Sequence, residues 1–426
     1  MTLRILYICL GYCLAPFAFG LVLWRGVRDR SYWRALHERF GFGSRLPAGG
    51  LWVHAVSVGE VQAAAALVRL LQARYPALPL VLTTATPTGR SRAEHLFGAA
   101  VTVRYLPYDL PDAVARFLDR IRPRLAVILE TELWPNLYRA CAGRGIPIVL
   151  ASARLSARSA RRYRWLAALA RTTLSGDVVI AAQSEADRER FVAIGANPAR
   201  SHVVGNIKFD FELSAGAARA GAALREMIGV ERPVWVAGST HAGEEEQLLD
   251  AQDALARLLP GALLVLAPRH PPRFDSVAAL LRRRGTRFVT RSSGAPVDAD
   301  TTVLLVDTLG ELVHFYAAGD VAFVGGSLVA VGGHNLLEPA ALAKPIVSGP
   351  HTFNDARAAQ LLGEAGALEL VSDSAALARR LAALLVDPAA RARAGAQGLA
   401  AVTANRGALG RLLKLIEPRV QPGAGG

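Results

Sequence analysis

The sequence predicts an α/β protein: two doubly wound parallel-sheet domains in tandem, facing a cleft, behind an N-terminal transmembrane helix. Three observations lead there. From Ile5 to Trp24 the chain carries no charge, a run long enough to cross a bilayer core at about 1.5 Å per helical residue. From Leu51 onward, short apolar runs of buried-strand type alternate with Ala- and Leu-rich helical stretches, the pattern of a parallel sheet covered on both faces. The alternation occurs twice, with an Ala/Gly-rich stretch between the two series.

The first element is the anchor, residues 1–30. Arg25, Arg28 and Arg30 follow the apolar run where a secretory signal peptide would carry a small-residue cleavage site. With Arg34 they form a positive flank, which stays in the cytoplasm. The expectation is a single-pass inner-membrane protein with its catalytic domains on the cytoplasmic side. Cys9, Cys13 and Cys141 make no disulfide framework, two of them lying in the apolar run, and this suits a reducing compartment.

In the first domain, residues 31–211, Leu51–Val56 reads as a strand and Val61–Tyr75 as the helix after it. Leu78–Thr83, Leu125–Leu129, Ile148–Ala151 and Val178–Ala181 continue the series. Residues 212–233 read as the connection between domains. The second domain, residues 234–420, repeats the pattern with Val234–Ala237, Ala262–Ala267, Arg287–Thr290, Val303–Val306, Val321–Val324 and Pro345–Val347. Residues 421–426 read as a disordered tail. A chain of 426 residues with 52% hydrophobic composition fills two such cores.

The formal charge of +14, from 49 Lys and Arg against 35 Asp and Glu, favours anionic partners. Only three of the basic residues are lysines, Lys208, Lys344 and Lys414, so the excess is an arginine bias rather than one patch. With no zinc-type cysteine spacing, RNA-binding signature or interleaved aromatic-basic stretch, nucleic acid is not an expected partner. The membrane is one. Arg154, Arg158, Arg161, Arg162 and Arg164 suit lipid phosphates as well as they suit a solvated helix face.

Chemistry is expected at the strand ends, where ligands of doubly wound sheets bind. His54-Ala55-Val56-Ser57-Val58-Gly59-Glu60 joins a strand to a helix and sets Glu60 at the helix start. Such a carboxylate is either a general base or a helix N-terminal acid, and the helix dipole is expected to lower its pKa and keep it ionised. Glu130-Thr131-Glu132-Leu133-Trp134-Pro135-Asn136 brings two more carboxylates to a later strand end. In the second domain, Gly238-Ser239-Thr240-His241 precedes Glu244-Glu245-Glu246, a loop-to-helix element with N–H groups for a phosphate. Pro268-Arg269-His270 supplies a guanidinium and an imidazole. Asp307-Thr308-Leu309-Gly310-Glu311 ends another strand. Gly325-Gly326-Ser327 and Gly332-Gly333-His334-Asn335-Leu336-Leu337-Glu338-Pro339 follow the next. Their glycines admit close backbone approach, and Glu338 can chelate ribose hydroxyls. A nucleotide fits this second set.

These motifs, with Ala153-Arg154-Leu155-Ser156, Gly205 to Asp210 and Gly349 to Asn354, run through nearly the whole chain. In that order they resemble the 3-deoxy-D-manno-octulosonic acid (Kdo) transferase family of lipopolysaccharide biosynthesis. Ser152 and Asp355 depart from the family pattern, where Asn and an aromatic are common. The resemblance implies a GT-B glycosyltransferase that moves Kdo from CMP-Kdo to a lipid A precursor, lipid IVA. The first domain would bind the acceptor and the second the CMP-sugar. By the same resemblance Glu60 is the general base, the acceptor hydroxyl displaces CMP in one inverting step, and Glu130 and Lys208 stabilise the transition state. Pro268, Arg269, His270, Leu309, Gly310, Glu311, Asn335, Leu336, Leu337 and Glu338 would hold CMP. The scarcity of lysine points independently to a need for a compact, rotatable ammonium at Lys208. CMP carries one phosphate, whose charge side chains and helix N–H groups can meet, so no metal and no cofactor is expected. The rival readings are another nucleotide-sugar enzyme of this fold and a membrane-tethered nucleotide-binding protein without catalysis, in which Glu60 is only a cap.

Overall fold

The computed structural model describes residues 2–211, 213 and 216–420. The predicted tail, 421–426, and positions 212, 214 and 215 of the predicted connection lie outside them. Described residues up to Phe211, together with those from Asn405 on, form one compact unit, and those between form a second.

The first unit is built on strands β1 (Gly50–His54), β2 (Leu80–Thr84), β3 (Thr102–Tyr105), β4 (Pro123–Leu129), β5 (Ile148–Ala153), β6 (Val178–Ala182) and β7 (Ser201–Val203). They form one sheet in the order β3-β2-β1-β4-β5-β6-β7, all neighbours parallel. Alternate residues fill two cores. Leu51, Val53, Val127 and Val149 pack on one face, and Trp52, Ala126, Ile128 and Leu150 on the other. Burial on both faces is why these strands read as unbroken apolar runs. β1 stops at His54, short of the predicted Val56, because Ser57 caps the helix Val58–Arg74 by accepting from Glu60 N–H.

The second unit holds β8 (Val234–Thr240), β9 (Leu263–Pro268), β10 (Phe288–Thr290), β11 (Val303–Leu305), β12 (Val321–Val324), β13 (Ile346–Ser348) and β14 (Leu368–Leu370). Their order is β10-β11-β9-β8-β12-β13-β14, again parallel throughout. The apolar-run pattern shows no strand at β3, β7 or β14. All three are short edge strands, and β7 and β14 leave two of their three residues exposed.

Two boundaries differ from the sequence reading. The stretch 212–233 contains a helix, Ala217–Ile228, that packs on Leu312–Ala318. A Cβ at Gly221 would stand 2.4 Å from the Ala317 side chain, so a glycine allows the close approach. Helix Ala408–Val420 does not end the second unit but returns to the first, burying Ala408, Leu412, Ile416 and Val420 beside Val127 and Val149. Asp210 fixes the return by accepting from the N–H groups of Gly407 and Leu409. Apolar spacing says that one helix face is buried, but not against which sheet.

Helix Thr2–Arg28 contains the stretch Leu3–Arg28, long and apolar enough to cross a membrane, with none of its most apolar window buried. Side chains tie it to the rest of the first unit. Tyr7 Oη donates to Asp109 at 2.9 Å, Tyr12 Oη donates to Asp112 at 2.7 Å, and Phe19 meets Phe40 edge to face at 5.2 Å.

Candidate active site

In a doubly wound sheet the loops of two adjacent strands diverge where the strand order reverses, leaving a crevice at their carboxyl ends. In the first unit that point lies between β1 and β4. The loop after β1 leads to Glu60, and the loop after β4 carries Glu130 and Glu132. Glu60 is fixed by its own turn: Oε2 accepts from Val56 N–H at 2.8 Å and Oε1 from the Ser57 hydroxyl at 3.4 Å. Its pKa differs from the expectation drawn from the helix dipole. Burial, reinforced by Glu130 and Glu132, pushes the carboxyl up to about 7 against the pull of Val56 N–H and Lys208. Desolvation outweighs the dipole, and the result is a group that exchanges a proton near neutrality.

Lys208 Nζ lies 3.3 Å from Glu130 Oε1, each side chain about a quarter exposed. Both are held from unusual backbone. Glu130 sits at φ +57°, and Ser152, at the bulge of β5, at φ +48°, left-handed conformations that non-glycine residues adopt at a cost of about 1–3 kcal/mol. Ser152 accepts from Ile207 N–H at 3.1 Å, and Asn206 accepts from Lys208 N–H at 3.0 Å. Together they fix the short turn Ile207–Phe209 that presents the ammonium. Glu132 accepts from Trp134 Nε1 at 2.7 Å, and burial raises its pKa.

The second unit repeats the layout. Its reversal lies between β8 and β12, and the loops after them carry His241 and His334, whose Nε2 atoms are 2.7 Å apart. His270, after β9, meets the His241 ring edge to face at 5.4 Å. Glu244, fully buried, accepts from four backbone N–H groups: His241, Gly326, Ser327 and Leu328, at 2.7–3.2 Å. Of the N–H groups that these loops could offer to a phosphate, those of His241, Gly326, Ser327 and Leu328 are already occupied by a carboxylate of the chain. Glu245 accepts from Thr240 Oγ1 and pairs with Arg273 at 2.9 Å, tying the β8 loop to the turn after β9. Asn335 donates to Glu338 at 3.0 Å and caps the helix Leu337–Ala341 through Leu337 N–H. Burial raises the Glu338 pKa against Asn335 and Arg269. Gly332 and Gly333 are held by Asn354, whose amide donates to the carbonyls of Val331 and Gly333 at 3.1 Å.

Residues 34–211 match the sequence model of the family described as 3-deoxy-D-manno-octulosonic-acid transferase (kdotransferase). The 3-deoxy-D-manno-octulosonic acid transferase of Haemophilus influenzae is 42% identical over 98% of this chain and 99% of its own length. That of Bordetella pertussis is 41% identical over 95% of this chain and 96% of its own. The chain belongs to the Kdo transferase family. Among solved structures, UDP-GlcNAc 2-epimerase from Neisseria meningitidis aligns with a TM-score of 0.55 at 14% identity, covering 86% of this chain and 99% of that one. This likeness is one of fold, and the two doubly wound units are of GT-B type.

As a Kdo transferase the chain is a glycosyltransferase, and its predicted site residues fall into three groups. In the first unit Glu130 and Lys208, 3.3 Å apart, both act on the Glu60 carboxyl, in opposite directions. In the second unit Arg269 acts on both His270 and Glu338, with Pro268, Asn335, Leu336 and Leu337 alongside in sequence. Leu309, Gly310 and Glu311 are not brought to them by any described contact. The Glu311 carboxylate instead accepts from Arg291 at 2.9 Å and from Thr308, and Arg291 holds its pKa low. Among the described residues no group of three His, Cys, Asp or Glu is arranged to hold a metal ion. The one Asp-x-Asp stretch, Asp298-Ala299-Asp300, is engaged otherwise: Asp298 accepts from Thr301, and Asp300 pairs with Arg287 at 2.8 Å. Sequence reasoning gave no role of their own to Ser152, Glu244, His241 and His334. The available signal was local, three successive glutamates at a helix start and histidines at two strand ends.

Proposed function

We propose that the chain transfers Kdo from CMP-Kdo to a lipid A precursor, lipid IVA, inverting the anomeric configuration. The observation that carries the reading is Glu60, oriented by Val56 N–H and brought by burial to a pKa of about 7, where a general base works best near neutral pH. In this reading the first unit takes the acceptor. Glu60 removes the proton from its sugar hydroxyl, the oxygen attacks the anomeric carbon, and the bond to phosphate breaks with its electron pair leaving on CMP. Lys208, steered by Glu130, faces the charge that develops as that bond opens. The second unit takes CMP, with Arg269 and His270 toward the phosphate and the Asn335–Glu338 pair toward the ribose hydroxyls. Leu309, Gly310 and Glu311 complete the nucleotide side as a loop ordered by Arg291.

The same proposal has helix Thr2–Arg28 anchor the enzyme in the inner membrane by a single pass, with both units on the cytoplasmic side where Arg25, Arg28 and Arg30 lie. Arg154, Arg158, Arg161 and Arg162 are exposed, as is Trp165 at 90%, a mixture suited to anionic headgroups. The side chain of Arg164 lies outside the described residues. One observation favours a second arrangement. Tyr7 and Tyr12, inside the apolar run, are hydrogen-bonded to Asp109 and Asp112, so a full pass requires both bonds to open. With them closed the helix lies along the first unit and presents its bare face sideways, as interfacial helices do.

The deciding experiment incubates the full-length chain with CMP-Kdo and tetraacylated lipid A precursor. Product mass counts the sugars added, NMR compares the new linkage with that of the donor, and CMP, UDP and GDP compete for the site. Retained configuration, or inhibition by UDP and not by CMP, would overturn the reading.

A further inference from the structure

Two imidazole nitrogens 2.7 Å apart hold one hydrogen between them. With none, two lone pairs face each other, and with two, the hydrogens collide. The His241–His334 contact therefore exists in two charge states. In the neutral pair one Nε2–H donates to a bare Nε2. After uptake of one proton, a cationic ring donates the same hydrogen bond, now charge-assisted and stronger. A second proton would break the contact. The pair thus has a capacity of one proton and gains cohesion by taking it.

Its surroundings decide when. The rings lie 7° from parallel, on the two loops that diverge at the reversal of the second sheet. A Cβ at Gly326, φ +70°, would stand 3.0 Å from the His334 ring and 3.4 Å from that of His241, so the loop backbone passes directly over the pair. Burial holds both histidines below their usual pKa; from β9 and its following turn Arg269 and His270 add to it at both rings, Arg273 adds to it at His241, and His241 itself adds to it at His334. The neighbouring carboxylates are Glu244, already accepting four N–H groups, Glu245, paired with Arg273, Glu338, opposed to Arg269, and Asp355, which lines the same hollow as His334. The crevice is left with cationic side chains, and four of its backbone N–H groups are already taken by Glu244. An anion entering it offsets the arginines that keep the pair neutral.

We infer that the His241–His334 pair takes up one proton when the donor's phosphate binds, so that nucleotide binding and protonation of this pair are one linked event. The inference rests on the reading of the second unit as the donor-binding unit. Linkage then makes donor affinity fall as pH rises, by up to about tenfold per pH unit while the free pair is neutral and the bound pair charged.

The probe is the methyl ester of CMP, a phosphodiester with no proton to gain near neutrality. Titration calorimetry of the full chain at pH 7.5 in three buffers of different ionisation enthalpy counts the protons taken up. Roughly one is expected, with affinity falling by at least about threefold between pH 7 and 8. Glu60→Gln serves as a control and should take up the same number. His334→Gln and His241→Gln keep a side chain able to hydrogen-bond but unable to be doubly protonated, and each should still bind the ester while uptake falls toward zero. Binding by the unaltered chain without proton uptake overturns the inference alone, as does uptake that persists in both variants. Absence of any binding of the ester overturns the donor-unit reading, and the inference with it.

Discussion

Lys208 Nζ stands 3.3 Å from the carboxylate of Glu130, a residue held at φ +57° at the end of β4. A pair exposed by a quarter on each side adds about 0–1 kcal/mol to stability, less than the strain of its own backbone. In the proposed reaction the arrangement is explained by the charge that the ammonium would face. Lys208→Ala is expected to shift the thermal midpoint little while lowering kcat about a hundredfold or more, the range for losing one preorganised charge partner of a transition state. CMP affinity should be unchanged. Steady-state kinetics and calorimetry on the same preparation check both halves, and an unaltered kcat would make the pair a surface ion pair.

Glu60→Gln should fold, bind CMP normally and lose at least about a hundredfold in rate, as expected for a missing general base. In the unaltered enzyme the rate should climb as pH passes about 7, because only the ionised carboxylate accepts a proton. Stability has the opposite sign. A carboxyl raised from 4.5 to about 7 keeps a proton in the folded chain that the unfolded chain has already shed. Its contribution is therefore fully present below pH 4.5 and is lost as pH rises through the folded value near 7. Glu60→Gln escapes that loss, so its thermal midpoint should gain on the unaltered protein as pH rises from 4.5 to about 7. A gap that does not widen would contradict the buried carboxylate.

Removing the Glu244 carboxylate leaves four N–H groups of the β8 and β12 loops, two of them fully buried, without their acceptor. Glu244→Ala should lower stability by at least about 3 kcal/mol and abolish CMP binding, whereas Glu244→Gln, which keeps one acceptor oxygen, should retain part of both. Urea unfolding and CMP titration give the comparison. Full CMP affinity in the alanine variant would show that these loops are held by other means.

How much of this was legible in the sequence depended on burial. β1, β4, β5, β6, β8 and β9 are covered on both faces, and their unbroken apolar runs announce them. β7 and β14 are three-residue edges with two exposed side chains each, and no apolar run marks them. Glu60, Glu130 and Glu338 could be read as strand-end and helix-start carboxylates. That β1 lies beside β4 could not, because strand order is not written locally, and without it neither the effect of Glu130 on Glu60 nor the meeting of His241 with His334, 93 positions away, can be derived. The error on the Glu60 pKa has the same root: the helix dipole is visible in sequence, but desolvation is not.

Deleting residues 1–30 removes the Tyr7 and Tyr12 hydrogen bonds, but Asp109 keeps those from the backbone N–H groups of Asn136 and Leu137. The truncated chain should fold and bind CMP. If the proposed anchor and lipid acceptor hold, transfer should slow far more on bilayers than in detergent, because enzyme and acceptor would no longer be confined to one surface. Residual sedimentation with anionic vesicles should be released by salt. Equal activity on bilayers would leave the anchor with localisation only. A fluorescent-protein or alkaline-phosphatase reporter fused to the N-terminus of the full chain separates the two membrane arrangements, since a single pass puts it across the bilayer from the catalytic units and a docked helix keeps it beside them.

The acceptor for the N–H groups of Gly407 and Leu409 is Asp210, 199 positions before Leu409. The second unit is thus an insertion within the first, and this fixes an order of events during synthesis. The sheet of the first unit leaves the ribosome early, yet its core lacks Leu412, Ile416 and Val420 until the whole inserted unit has followed, roughly 10–40 s later at ordinary bacterial translation speeds. For that interval an apolar flank beside β4 and β5 stands open while the second unit, contiguous in sequence, can already be complete. Nascent chains stopped near residue 404 should therefore yield a protease-resistant second unit and a vulnerable first unit, and lesions in the last helix, Ala408–Val420, should injure the unit that is made first.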